Sequence, residues 1–197
     1  VGHGADSVKE YLQDRVEYAV QEPQLGTGHA VMQATMLEGL SGDTIVLNGD
    51  GPCIQKETIL KAFESNANHA CTVLTSVLES GAQYGRIVRN EDGMVEKIVE
   101  AKDCSDEELK IKEINTGSFC FNNQALFEGL KEITNDNAQN EYYLTDLVEI
   151  FNKKGQKVNA MIVEDPDETM GVNDRVDLAK ANAYMKHHVN ELHMRNG

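Results

Sequence analysis

Short apolar runs of strand length alternate along the chain with segments of helical periodicity, and this alternation constrains the fold more than any other feature. Thr44–Leu47, Cys71–Leu78, Ser118–Phe121 and Val158–Val163 are β-branched or aromatic runs, and Val16–Val20 reads as a further strand. Between them, Gly28–Leu37, Lys56–Phe63, Ala125–Ile133 and Tyr142–Lys153 carry apolar residues at helical spacing. Gly155 is placed to stop the last of these, and a long helix over Arg175–Met194 closes the chain. Such a rhythm predicts an α/β fold, a mostly parallel sheet with flanking helices. One stretch breaks it. Arg86–Arg89 and Met94–Val99 are β runs joined by Asn90-Glu91-Asp92-Gly93, which predicts an antiparallel hairpin lobe on the parallel core. Ser105 and Glu108 have capping-box spacing and predict a short helix after it.

The 197 residues suit one domain. The formal charge of −15 argues against a nucleic-acid partner, because binding a phosphate backbone needs a basic face. A small anionic substrate remains open if local cations or backbone N–H groups receive it. No apolar run approaches the ~20 residues that span a bilayer. Cys53, Cys71, Cys104 and Cys120 show no C-x-x-C pairing and read as thiols of a reducing cytoplasm. The opening Val1-Gly2-His3-Gly4 reads like the end of a strand, so the chain is expected to be a fragment.

Ligands of open α/β sheets sit beyond the carboxyl ends of the strands. Asn48-Gly49-Asp50 stands at such an end, so Asp50 reads either as a carboxylate delivered into a cleft or as a turn cap. Gln24-Leu25-Gly26-Thr27-Gly28-His29 lies between a strand and a helix. Its glycines either free backbone N–H groups for a ligand or serve packing alone. Gln21, upstream, offers a donor and an acceptor, which matches the mixed edge of a uracil ring or is a plain surface glutamine. Asn173, after Gly171, is a polar residue at another strand end. One Asp and one Asn suit Mg²⁺, which keeps waters and takes substrate phosphates as its other ligands. Glu100 and Asn115 also fall near strand ends. The six histidines are scattered and read as non-ligands.

Together these segments resemble the bacterial N-acetylglucosamine-1-phosphate uridyltransferases, over essentially the whole chain. The similar stretches are Gln21–Ala30, Gly49-Asp50-x-Pro52, Tyr84–Arg89, Ile98–Asp103, Glu113–Gly117, Asn135–Asp146 and Gly171–Arg175. The resemblance implies a Rossmann-like nucleotide-diphospho-sugar transferase fold. It also implies synthesis of UDP-N-acetylglucosamine and pyrophosphate from UTP and N-acetylglucosamine-1-phosphate for cell-wall precursors. Gln21, Gly26 and Thr27 would contact the uridine. Asn48 and Gly49 would line the floor near the ribose and sugar phosphate. Gly85, Glu100 and Asn115 would bind the N-acetylglucosamine moiety. Asp50 and Asn173 would hold Mg²⁺ and be the catalytic pair, in a cytoplasmic enzyme.

Residues 1–197 would then be the uridyltransferase domain without its N-terminal Gly-rich triphosphate loop, and so inactive alone. The left-handed β-helix acetyltransferase domain, on which the homotrimer of full-length relatives is built, would be absent. Two relatives' features differ here: Gly51 stands where the family often has a small side chain, and Asn140 where it often has Gly. Rival readings are a pyrophosphorylase for another sugar-1-phosphate, a non-catalytic sugar-nucleotide-binding module, and an assembly piece docking through the C-terminal helix.

Overall fold

A computed structural model describes residues 1–81 and 83–197. Helices α1 (Ala5–Leu12) and α2 (Thr27–Met32) precede strand β1 (Asp43–Val46). Helix α3 (Lys56–Ser65) then leads to β2 (Cys71–Val77), β3 (Arg86–Arg89), β4 (Val95–Val99) and β5 (Glu113–Asn122). Helices α4 (Asn123–Leu130) and α5 (Asp146–Lys153), strand β6 (Val158–Ile162) and helix α6 (Arg175–Asn196) complete the chain.

The sheet is built around β5. Its path runs β4-β3-β5-β2-β6, and β1 also pairs with β5. Among the described residues only the β2–β6 ladder is parallel; the other four between named strands are antiparallel. The expected mostly parallel sheet is therefore a mixed one. Strands β1, β2, β3 and β6 do share one direction, as strand–helix alternation predicts. β5 runs the other way and inserts between β1 and β2, so neighbours that a crossover helix would have made parallel each pair antiparallel to β5 instead.

Side chains of β5 alternate between two layers, as the two-residue repeat of a strand requires. Phe119 and Phe121 enter the larger core with Leu126, Leu147, Val148 and Phe151 from α4 and α5. Cys120 faces the other way, with Ala62 of α3, Leu74 and Val163. Phe119 stacks on Phe121, and Phe151 meets Phe121 edge-on. The expected hairpin is present: β3 and β4 pair through a turn with Gly93 at φ 78°.

Three expectations are revised. Val16–Val20 is not a strand: Val1 N donates to Ala19 O and Gln21 N to Val1 O, but no further sheet partner meets the run among the described residues. The helix expected over Gly28–Leu37 stops at Met32 and gives way to a 3-10 turn at Thr35–Leu37. In the segment that follows, the carbonyls of Leu37 and Leu40 accept from Asn123 Nδ2 at 2.6 and 2.8 Å. The Ser105–Glu108 capping box forms reciprocally, with Ser105 N donating to Glu108 Oε2 and Glu108 N to Ser105 Oγ, but only a 3-10 turn at Glu108–Lys110 follows.

Candidate active site

A gap in the sheet makes the site. Along one edge of β5, Val46 of β1 pairs with Phe119, and Arg86 of β3 pairs with Ile114. The residues between, Asn115–Ser118, lie where β1 and β3 part. On the opposite edge the register with β2 jumps from Val73↔Phe119 to Thr75↔Asn115, so β5 bulges here. Bulges recur beside functional sites because they re-aim side chains. Gly117 sits in the bulge at φ 79°, and Thr116 Oγ1 restores a lost ladder bond by donating to Leu74 O at 2.8 Å. A Cβ on Gly117 would lie 2.1 Å from Asn48 Nδ2, so only glycine lets Asn48 lie across the bulge. The opening is a cleft of about 590 Å³, lined from the end of β1, the start of β3, the bulge, and the loops after β4 and β6.

Eight of the ten expected site residues line this cleft: Thr27, Asn48, Gly49, Asp50, Gly85, Glu100, Asn115 and Asn173. Three converge at one end. Asn115 N donates to Gly85 O at 2.9 Å, and a Cβ on Gly85 would lie 3.4 Å from Glu100 Oε2. Asn115 Oδ1 accepts from Gly117 N at 3.0 Å, which fixes the side chain and leaves its amide protons for the cleft. Asp50 and Asn173 converge at another point. Val172 N donates to Asp50 O at 2.9 Å, which ties the loop after β6 to the end of β1. A Cβ on Gly171 would stand 3.6 Å from Asp50 Oδ2 and 3.4 Å from Asn173 Nδ2. No atom lies within 4 Å of where a Cβ on Gly49 would sit, so packing does not demand glycine there and the space is open.

Gln21 and Gly26 are not among the residues that line the cleft; Gly26 adjoins Thr27, which does, and Gln21 is hydrogen-bonded to Gly26. The amide of Gln21 donates to Gly26 O at 2.9 Å and contacts His29 Nδ1 at 3.3 Å. One of its donors is therefore spent on the Gly26 carbonyl, and the same nitrogen faces His29 Nδ1. The glycines of the segment serve packing. Gly28 N donates to Tyr142 O at 2.7 Å, Tyr142 N to Leu25 O at 2.8 Å, and Leu144 N to Thr27 Oγ1 at 3.1 Å. A Cβ on Gly26, at φ 106°, would meet Tyr142 O at 2.7 Å.

Residues 3–188 match the nucleotidyl transferase family. The chain belongs to that family. This nucleotidyl transferase chain is 51% identical over 200 residues to the bifunctional protein GlmU of Enterococcus faecalis, and 53% to that of Halalkalibacterium halodurans. Each match takes in all of this chain but 44% of the relative, so the chain spans under half the length of the curated relatives it matches. A solved UDP-glucose pyrophosphorylase with bound UDP-glucose shares the fold: TM-score 0.67, 17% identity, 94% of this chain and 79% of that one.

Electrostatics mark the Glu100 end of the nucleotidyl transferase cleft. Burial pushes the Glu100 carboxyl up, and the charge of Asp103 adds to this, while the hydrogen bond from Thr145 Oγ1 at 3.0 Å works against it. Asp146, at the start of α5, is pushed up to about 6 by burial, with Glu149, Glu100 and Asp103 contributing. Lys102 is the one lysine or arginine among the residues lining the cleft, and its ammonium donates to Gln139 Oε1. Thr145, Lys102 and Glu168 carry no role in the sequence reading. Thr145 and Lys102 lie inside family-like stretches, but their contacts cross 45 and 37 positions, which no local pattern encodes. Glu168 accepts from Thr58 Oγ1 at 2.6 Å and Gln55 N at 3.2 Å, pinning the loop that leads to Asn173 onto α3. Among the described residues no group of three or more His, Cys, Asp or Glu is placed to hold a metal ion.

Proposed function

We propose that this chain carries the uridyltransferase site that joins UTP and N-acetylglucosamine-1-phosphate into UDP-N-acetylglucosamine and pyrophosphate. One observation supports it above the rest: the Gly85–Glu100–Asn115 cluster and the Asp50–Asn173 pair face one cleft, as a sugar end and a phosphate end must. The identity to the GlmU proteins and the family-like stretches favour the same reading.

The oxygen of the sugar phosphate attacks the α-phosphorus of UTP, a new P–O bond forms, and the bond to the β-phosphate breaks to release pyrophosphate. No side chain takes the transferred group, so the protein's work is alignment and charge neutralisation. Glu100 accepts hydrogen bonds from sugar hydroxyls, Asn115 donates from its amide, and Asn48 and Gly49 form the floor beneath the phosphate. Asp50 and Asn173 stand near one another and would each supply one oxygen ligand, a set that fits Mg²⁺ with waters and substrate phosphates as its remaining ligands. Bound there, Mg²⁺ would neutralise phosphate charge. Homotrimer formation and the cytoplasm as the site of action stay with the family resemblance; no helix among the described residues is long and apolar enough to cross a membrane.

The test is calorimetric binding of the product. UDP-N-acetylglucosamine is expected to bind in Mg²⁺ and to be preferred to UDP-glucose by at least about tenfold, the scale of a well-placed hydrogen-bonded group. Equal affinity for the two sugars would overturn the sugar assignment. No binding of either, in the presence of Mg²⁺, would overturn the uridyltransferase reading.

A further inference from the structure

Gln21 is oriented by two groups, and only one of them leaves a choice. The Gly26 carbonyl oxygen, 2.9 Å away, can only accept, so the atom of the Gln21 amide that faces it is the nitrogen. The same nitrogen lies 3.3 Å from His29 Nδ1. That ring nitrogen must therefore carry a lone pair, which puts the imidazole proton on Nε2. His29 is held in place from outside the pair. Its backbone carbonyl accepts from Gln33 Nε2 at 2.9 Å, and its ring lies tilted against Tyr142 with centroids 6.2 Å apart. Tyr142 is in turn hydrogen-bonded through its backbone to Leu25 and Gly28. Both amide protons of Gln21 are thus spent inside the protein, and what remains for a ligand is Oε1, an acceptor.

We propose that His29 is a positioning residue for base selection: by taking up the second Gln21 N–H, it holds the amide nitrogen to the protein and leaves Oε1, an acceptor, as the free atom. A free acceptor complements a ring that presents an N–H, as uracil does at N3, and opposes one that presents a lone pair there, as cytosine does. Without His29 the second N–H of Gln21 is released, and the amide can turn a donor to the ligand as well. The selection is then lost while the fold is kept. This inference rests on the uridine reading of the Gln21 segment.

The test has two arms. Long-range ¹H–¹⁵N correlation spectra of the chain report the tautomer of His29 without any nucleotide, and the Nε2–H form is expected. Binding of UDP and CDP in Mg²⁺ is then compared for the parent, His29→Phe and His29→Asn. The parent is expected to prefer UDP by about tenfold or more, and His29→Phe to lose most of that preference with little change in melting temperature. His29→Asn, whose side-chain oxygen can accept in place of Nδ1, is expected to restore it. An Nδ1–H tautomer, or a His29→Phe protein with the parent's preference, would overturn the role of His29. A parent that binds both nucleotides alike, or neither, would overturn the uridine reading itself, and the tautomer would still report whether His29 and Gln21 are paired.

Discussion

Several functional groups at this site are brought into place by neighbours remote in sequence. Asp50 is the clearest case: the loop after β1 delivers it, but the backbone bond from Val172 brings Asn173 beside it. Asp50→Ala should therefore abolish the Mg²⁺ dependence of product binding, measured by titration with and without EDTA; retained Mg²⁺ dependence would rule out Asp50 as a ligand. The charge on Asp146 makes a second prediction at this scale. Its carboxyl is raised from 3.8 to about 6 on folding, so the protonated form is favoured in the folded state. Its contribution to stability is fully present below about pH 4 and is lost as pH rises through about 6. Discounted for the partial exposure of Asp146, the effect is about 1 kcal/mol. Asp146→Asn should flatten the fall in urea-denaturation stability between pH 4 and pH 7; an unchanged slope would place its origin elsewhere. The sequence made Asp50, Asn173, Glu100 and Asn115 legible because strand ends and family-like stretches mark them. It left Thr145 and Lys102 unread because their meaning lies in the partner each one meets.

At the level of elements, the segment Gln139–Thr145 works as a strip joining the Leu25–Gly28 loop to the Glu100 end of the cleft. It hydrogen-bonds the Leu25–Gly28 loop through Tyr142, reaches Lys102 through Gln139, and holds Glu100 through Thr145. Gly26→Ala would force a Cβ to within 3 Å of the Tyr142 backbone at a φ that L-residues avoid. A loss of about 2–4 kcal/mol is expected from strain and overpacking together. Gly93→Ala, at φ 78° but in open space, should lose only about 1 kcal/mol. Chemical denaturation of the two variants tests this directly, and equal losses would mean that the strip is not tightly packed on the loop. Periodicity located nearly every helix and strand of the chain. It missed the antiparallel insertion of β5 because an apolar run says how deeply a strand is buried and not which way its neighbours run. It left the Gly26 and Gly28 turn open between ligand binding and packing; the Tyr142 backbone, packed against both glycines, gives them a packing role.

For the molecule as a whole, the dominant long-range term is its charge of −15. Most of the ion pairs are exposed and contribute little each. Uncompensated negative charge opposes the compact state, and salt screens it over about 10 Å at 0.1 M. Raising NaCl from about 20 to 200 mM should therefore raise the melting temperature by several degrees. A melting temperature that falls with salt would mean that the ion pairs outweigh the net repulsion. The position of β5 also governs how the chain can assemble as it is made. β1, β2 and β3 are all synthesised before it, yet each pairs with it, and β5 does not begin until Glu113. Contacts this distant along the chain close slowly. During translation, the apolar strands of the first half must wait at the ribosome without their central partner, a window in which a holding chaperone, rather than a faster ribosome, favours the native sheet.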